Sequence, residues 1–77
     1  MRSSDLVDCR VAANVRRFRL RAGWTQQRLA NAIGVTFQQL QKYEGATNRI
    51  SIGRLVLICD ALEVEIVDMI AARPWSS

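Results

Sequence analysis

The sequence predicts an all-α domain of five short helices, two of them joined by a very tight turn. Apolar residues recur at intervals of three and four along most of the chain, and the two-residue alternation of strands is scarce. The 77 residues, 49% of them hydrophobic, fit one domain with a thin core. We expect this core over about residues 8–72 and a flexible tail over residues 73–77.

The first helix is predicted over residues 6–21. Val11, Val15 and Phe18 are spaced at i, i+4 and i+7, which places them on one stripe of a helix. Gly23 follows, and glycine is the common residue just after the end of a helix.

The second and third helices are predicted over residues 25–33 and 37–44. Thr25 and Thr36 are suited to be their N-caps, because a threonine hydroxyl accepts a hydrogen bond from a backbone N–H of the next turn. Gly34 ends the second helix, and a single residue separates it from Thr36. This spacing predicts a helix-turn-helix.

The third helix has a predicted inner face formed by Leu40 and Tyr43. Gln39 lies three residues after Thr36 and is placed to complete a capping box with it. The remaining helices are predicted over residues 52–62, capped by Ser51, and over residues 65–72. Their predicted inward residues are Leu55, Ile58, Cys59, Leu62, Ile66, Met69 and Ile70.

Positive charge is concentrated in the first two thirds of the chain. Residues 1–54 hold ten of the eleven bases and three of the seven acids, a net +7, whereas residues 55–77 carry a net −3. Ten of the bases are arginines, which form bidentate contacts with phosphate and guanine. This distribution favours a polyanionic partner for the basic part.

Several classes of protein are disfavoured by composition. Histidine is absent and the two cysteines, Cys9 and Cys59, fit no metal-ligand spacing, so we expect no metal site and two buried free thiols. Neither a catalytic pairing of acids nor a glycine-rich phosphate loop is present, so we expect no enzyme, no cofactor, no small-molecule substrate and no sizeable pocket. No apolar run approaches the ~18 residues of a membrane helix, and we expect a cytoplasmic protein with no membrane partner.

The central motif resembles that of the Cro and phage-repressor, or XRE-type, helix-turn-helix family. The resemblance covers about residues 11–70 and rests on an aromatic residue followed by Thr-Gln-x-x-Leu-Ala, a later glycine, a short polar helix and Tyr-Glu. In this chain the motif reads Trp24-Thr25-Gln26-Gln27-Arg28-Leu29-Ala30, Ile33-Gly34-Val35-Thr36, Leu40 and Tyr43-Glu44. It implies a repressor-like domain that binds double-stranded DNA and regulates transcription, most simply as a repressor.

The outward face of the third helix is the predicted base-reading surface. If Leu40 and Tyr43 face inward, four residues share the opposite side: Phe37, Gln38, Gln41 and Lys42. Glutamine can bond adenine and lysine can bond guanine in the major groove. Phe37 either touches a thymine methyl group or packs against the helix pair. By resemblance, Thr36 also lies at the DNA surface.

Four further residues are predicted to contact phosphates. The resemblance places Gln26 near a phosphate, and the positive end of the second helix favours an anion there. Asn48 and Arg49 belong to the loop after the third helix, which should cross the DNA backbone. Arg54 is a weaker candidate: its charge is unfavourable at the start of the fourth helix, which points to an external role.

Arg19 and Glu44 have a structural role by resemblance, as a partly buried ion pair between the first helix and the end of the third.

The interaction of one copy with DNA buries little surface, so a homodimer reading two half-sites is expected. Its face is expected around residues 66–75. The alternative function is a protein-interaction module, such as an antitoxin, that uses its acidic C-terminal part to bind another protein.

Overall fold

The computed structural model describes the backbone of residues 3–73 and the side chains of residues 6–73. It contains five helices and no strand over these residues, in agreement with the predicted all-α fold. The helices are α1 (Ser3–Arg21), α2 (Gln26–Ile33), α3 (Phe37–Glu44), α4 (Ile52–Leu62) and α5 (Ile66–Ala71). Residues 74–77 of the predicted tail, and the end of the expected dimer face, lie outside the described residues.

Side-chain caps begin three of the helices, as the sequence predicts. The hydroxyl oxygens of Thr25, Thr36 and Ser51 accept hydrogen bonds from the backbone N–H three residues later, at 3.1, 3.0 and 3.2 Å. The predicted capping box is only half formed: among the described hydrogen bonds, none joins the Gln39 side chain to the Thr36 N–H. The threonine hydroxyl alone therefore caps α3.

The turn between α2 and α3 depends on Gly34, which has a φ of +74° in the left-handed region. The backbone N–H of Val35 donates to the carbonyl of Ala30 at 3.0 Å, which closes the end of α2. Because glycine adopts this φ without a Cβ clash, the chain reverses within one residue. The N-cap of α3 follows directly, and α2 and α3 pack against each other.

The core lies between all five helices. Its completely buried side chains include Val15, Leu29, Leu40, Ile58 and Met69. The inward residues predicted for α4 are all buried, and so are Leu40 and Tyr43 of α3. The apolar periodicity of these helices thus identifies their inner faces correctly.

The prediction for α5 is partly wrong. Met69 is buried, but Ile66 and Ile70 are 36% and 39% exposed. The helix is also shorter than expected, since it spans only Ile66–Ala71. A helix of six residues has fewer than two turns, so it presents one side chain fully to the core rather than three.

Asn14 joins α5 to α1. Its side chain is completely buried, and its Nδ2 donates to the carbonyls of Met69 and Ala72, both at 2.7 Å. These two bonds hold both the last turn of α5 and the residue that follows it. A buried polar anchor of this kind is not visible in an apolar pattern, and the sequence reading did not include it.

The cysteines are both free. Cys59 is buried as predicted, whereas Cys9 is only half-buried because it lies at the edge of the inner face of α1. Burial raises the pKa of the Cys59 thiol, and the negative charges of Asp60, Glu65 and Asp68 raise it further. The Cys59 side chain is therefore a neutral thiol at physiological pH.

Candidate nucleic-acid interface

Helix α3 has one polar face exposed to solvent. Gln38, Gln41 and Lys42 are exposed, while Leu40 and Tyr43 on the other side are 0% and 9% exposed. The outward face carries two amides and one ammonium group, which together offer both donors and acceptors. The three exposed side chains are thus presented together by a helix whose opposite side is anchored in the core.

Phe37 is half-buried at the start of α3, beside the exposed N-cap Thr36. It is absent from the hydrophobic residues that pack on the buried core. Phe37 is therefore partly accessible to solvent at the start of α3.

Arg19 and Glu44 form a buried, two-point ion pair between the C-terminal ends of α1 and α3. Arg19 Nε lies 2.7 Å from Glu44 Oε2, and Nη2 lies 3.1 Å from Oε1. The third edge of the guanidinium donates from Nη1 to the carbonyl of Trp24 at 2.7 Å. The two side chains are only 7% and 3% exposed. This pair fixes the end of α3 against α1 and the turn after α1.

Gln26 belongs to the same network. Its Nε2 donates to Glu44 Oε1 at 3.1 Å, so the first residue of α2 is tied to the last residue of α3. A primary amide carries two N–H donors and one carbonyl oxygen. The bond to Glu44 uses one of the two donors, so Gln26 retains hydrogen-bonding capacity for a phosphate.

The loop after α3 folds back over the end of that helix. The backbone N–H groups of Thr47 and Asn48 both donate to the carbonyl of Lys42, at 2.9 and 3.3 Å. Asn48 and Arg49 are exposed, and Arg49 Nε lies 2.8 Å from the Asp8 Oδ2 of α1. The loop is thus held beside α3, with Arg49 in contact with an acid that the sequence reading did not single out.

Arg54 has an internal hydrogen-bond partner that the sequence does not predict. The Arg54 Nη1 donates to the carbonyl of Ile33, the last residue of α2, at 2.9 Å. A cation is favourable at the C-terminal end of a helix. The Arg54 side chain, which belongs to the first turn of α4, therefore stabilises the end of α2. Its internal partner could not be read from the sequence, because α2 and α4 meet only in the folded chain.

Arginine side chains lie on aromatic rings next to this site. The guanidinium carbon of Arg28 is 3.9 Å from the centre of the Trp24 ring, and those of Arg17 and Arg21 are 5.6 and 5.9 Å from the centre of the Phe18 ring.

The first turns of α2 and α3 contain no acid. The positive end of α3 therefore favours an anion nearby, whereas the start of α2 already faces the Glu44 carboxylate, whose Oε1 lies 3.1 Å from Gln26 Nε2.

Within the described residues, no group of His, Cys, Asp and Glu side chains is placed to hold a metal ion. A groove of about 160 Å³ lies beside Tyr43, Arg49 and Ile70, which is below the roughly 300–1,000 Å³ of ordinary small-molecule sites. No helix between residues 3 and 73 is long and apolar enough to cross a membrane.

Comparison with known proteins identifies the family. The helix-turn-helix family model matches residues 15–69. An uncharacterised HTH-type transcriptional regulator of Rickettsia conorii is 49% identical over an alignment of 65 residues that covers 80% of this chain and 52% of that protein. A transcriptional regulator in the ATPase CF(0) region of Rhodospirillum rubrum, also uncharacterised, is 50% identical over 60 residues, 78% of this chain and 56% of the relative.

The fold comparison agrees with the sequence comparison. The crystal structure of NHTF, a hypothetical transcription factor from Neisseria, is similar with a TM-score of 0.75 at 25% identity, over 86% of this chain and 77% of that chain. The chain belongs to the helix-turn-helix family of XRE-type regulators, whose members bind DNA and regulate transcription. It spans about half the length of the curated relatives it matches.

Proposed function

We propose that this chain binds specific sequences of double-stranded DNA and represses transcription, with α3 reading the major groove. The observation that carries this proposal is the exposed polar face of α3. Gln38, Gln41 and Lys42 share that face, while the buried Arg19–Glu44 pair holds the end of the helix. A rigid helix with amides and a cation on its outer side matches the hydrogen-bonding pattern of base edges.

Phosphate contacts position the domain on the duplex. The proposed contacts come from Gln26 at the start of α2 and from Asn48 and Arg49 in the loop beside α3. Arg54 is a minor contributor, since one edge of its guanidinium is bonded to Ile33. Thr36 and Phe37 lie at the first turn of α3, where Phe37 contacts a thymine methyl group.

Binding as a homodimer follows from the small size of one interface. A single domain of this type buries about 600–1,000 Å² of protein surface on DNA, and tight specific binding usually needs more. Two copies would read half-sites about 34 Å apart, one turn of the double helix. The exposed apolar side chains of Ile66, Val67 and Ile70 on α5 support placing the contact between copies there.

The test is selection of bound sequences from a random duplex pool at about 150 mM salt, a concentration at which non-specific binding is weak. The wild type should select a two-fold symmetric motif, and Gln38→Ala should relax the preference at one base pair of each half-site. Gln27→Ala is the matched control. Gln27 is an exposed glutamine of α2 that bonds Asn31, so its removal should leave the base preferences unchanged.

The repressor role is tested with a reporter gene whose promoter overlaps the selected motif. Expression should fall when the protein is produced, and Gln38→Ala should restore it. Increased expression would contradict repression while leaving specific binding intact. Binding to every duplex alike, with loss of binding as salt rises, would contradict specific recognition.

The second candidate function is binding of another protein, as in an antitoxin. It is favoured by exposed apolar residues on the C-terminal helices, of which Ile52 and Val67 are 67% and 60% exposed, beside the acids of α4 and α5. The failure to select any DNA motif, together with a stable complex between the chain and a purified partner through this surface, would favour this function instead.

A further inference from the structure

An ion pair joins the start of α1 to the loop that follows α3. Arg49 Nε lies 2.8 Å from Asp8 Oδ2, and the two side chains are 69% and 37% exposed. Arg49 is the only basic residue between Lys42 and Arg54 in the sequence. The loop is held against the end of α3 by the two hydrogen bonds to the Lys42 carbonyl.

We propose that Asp8 competes with DNA phosphate for the guanidinium of Arg49 and thereby limits the affinity of the domain for DNA. The inference rests on the proposed function, in which Arg49 contacts the DNA backbone. A carboxylate and a phosphate bind the same edges of a guanidinium with similar geometry. When a phosphate approaches Arg49, the contact between Arg49 Nε and the Asp8 carboxylate must therefore break, or the guanidinium must be shared between the two anions.

The exposure of the pair makes this exchange feasible. An ion pair between exposed side chains is weak, so phosphate can displace the carboxylate, but the displacement still reduces the gain from the new contact. Loss of Asp8 should therefore raise DNA affinity by about two- to fivefold. Asp8 would act as a residue that sets affinity without touching a base.

The salt dependence of binding carries a second signature. Each phosphate neutralised by a free cation releases condensed counterions and adds about 0.9 to the slope of log K against log salt. When Arg49 moves from Asp8 to a phosphate, the abandoned carboxylate recruits a cation, which offsets part of that release. The slope should therefore become steeper, by up to about 0.9, when Asp8 is neutral.

The experiment compares four versions of the 77-residue chain on the duplex that the selection yields: wild type, Asp8→Asn, Arg49→Gln and the double variant. Dissociation constants are measured over a series of salt concentrations. Asp8→Asn should bind about two- to fivefold more tightly with a steeper slope. The same substitution should have no effect in the Arg49→Gln background, because no guanidinium remains to compete for. Glu63→Gln, which removes one negative charge from the α4–α5 turn, is the charge-matched control and should not change affinity.

Each other result would overturn the inference. Equal gains from Asp8→Asn with and without Arg49 would show general charge repulsion instead of competition. Weaker binding by Asp8→Asn would show that Asp8 holds Arg49 in place for DNA. Specific binding by the wild type with an unchanged Asp8→Asn variant would overturn the competition alone, whereas failure of the wild type to bind any duplex would overturn the proposed function with it.

Discussion

The guanidinium of Arg19 and the carboxylate of Glu44 meet in two hydrogen bonds of 2.7 and 3.1 Å, across 25 residues of sequence. Both side chains are almost fully buried. Arg19 Nη1 also donates to the Trp24 carbonyl, and Glu44 Oε1 also accepts a hydrogen bond from the Gln26 amide. The pair therefore connects the end of α1, the start of α2 and the end of α3 at one point.

Glu44→Gln should lower the free energy of unfolding by about 3–5 kcal/mol, because it leaves the buried Arg19 charge without a counter-charge. Urea denaturation followed by circular dichroism measures the loss. Asp8→Asn breaks the exposed pair with Arg49 and should cost no more than about 1 kcal/mol. The double variant Arg19→Met/Glu44→Leu removes both charges and should recover most of the stability. Similar losses in Glu44→Gln and Asp8→Asn would contradict the role assigned to burial.

Asn14→Ala should destabilise α5 more than the rest of the domain. The substitution removes both donors to the Met69 and Ala72 carbonyls, and each buried group left without a partner costs about 1–3 kcal/mol. Amide hydrogen exchange should become faster in α5 before it does so in α2 and α3. Asn31→Ala changes an exposed asparagine of α2 and should stay within about 0.5 kcal/mol of the wild type. Uniformly faster exchange throughout the chain would contradict a local anchor.

Alanine substitutions at two glycines, Gly34 and Gly53, should change the free energy of unfolding in opposite directions. A Cβ at Gly34 or at Gly53 would meet no atom within 4 Å, so sterics between residues do not separate them. Gly34→Ala should cost about 1–2 kcal/mol because its φ of +74° is left-handed. Gly53→Ala lies inside α4 and should stabilise by about 0.5–1 kcal/mol. Thermal unfolding of both variants measures the two changes in stability. A loss of stability in both would indicate that the added methyl group at residue 53 clashes with a neighbouring group.

Stability should fall at alkaline pH partly because of Cys59. Burial raises the pKa of its thiol above the ordinary value of 9.0. Below that value the thiol is protonated in both the folded and the unfolded chain, and its contribution is fully present. As the pH rises above about 9, the unfolded chain loses this proton first, so the contribution is progressively lost up to the folded pKa.

The measurement is urea denaturation at a series of pH values that begins below the ordinary thiol pKa of 9.0 and continues above it. Cys59→Ala should show a shallower decline of unfolding free energy with rising pH than the wild type. In the native protein at pH 8, a thiol reagent should modify the half-buried Cys9 faster than Cys59. Equal rates would contradict the buried, neutral state of Cys59.

Much of the fold could be predicted because its determinants are local. Threonine and serine hydroxyls cap helices through a backbone N–H only three residues away, so Thr25, Thr36 and Ser51 mark the helix starts correctly. Gly34 marks the turn for a similar reason, since the φ it adopts depends on its own missing side chain. The apolar spacing then assigns the inner faces of α2, α3 and α4.

The site was only partly predictable. The outward set on α3 follows from the inward positions of Leu40 and Tyr43, since helix geometry relates the two faces. The partners of the charged residues do not follow in the same way. Asp8 carried no signal beyond its charge, although its contact with Arg49 lies next to the proposed phosphate site.

The sequence by itself determined the number of helices in the described residues, the N-caps of three of them, the tight turn and the side of α3 that faces solvent. Each of these depends on residues within one or two turns of each other. Only the tertiary structure decided that Arg54 reaches the Ile33 carbonyl, that Asn14 holds α5 and that Ile66 and Ile70 remain partly exposed. Those outcomes depend on which distant surfaces meet, and a long side chain or a short helix is compatible with several neighbours until packing selects one.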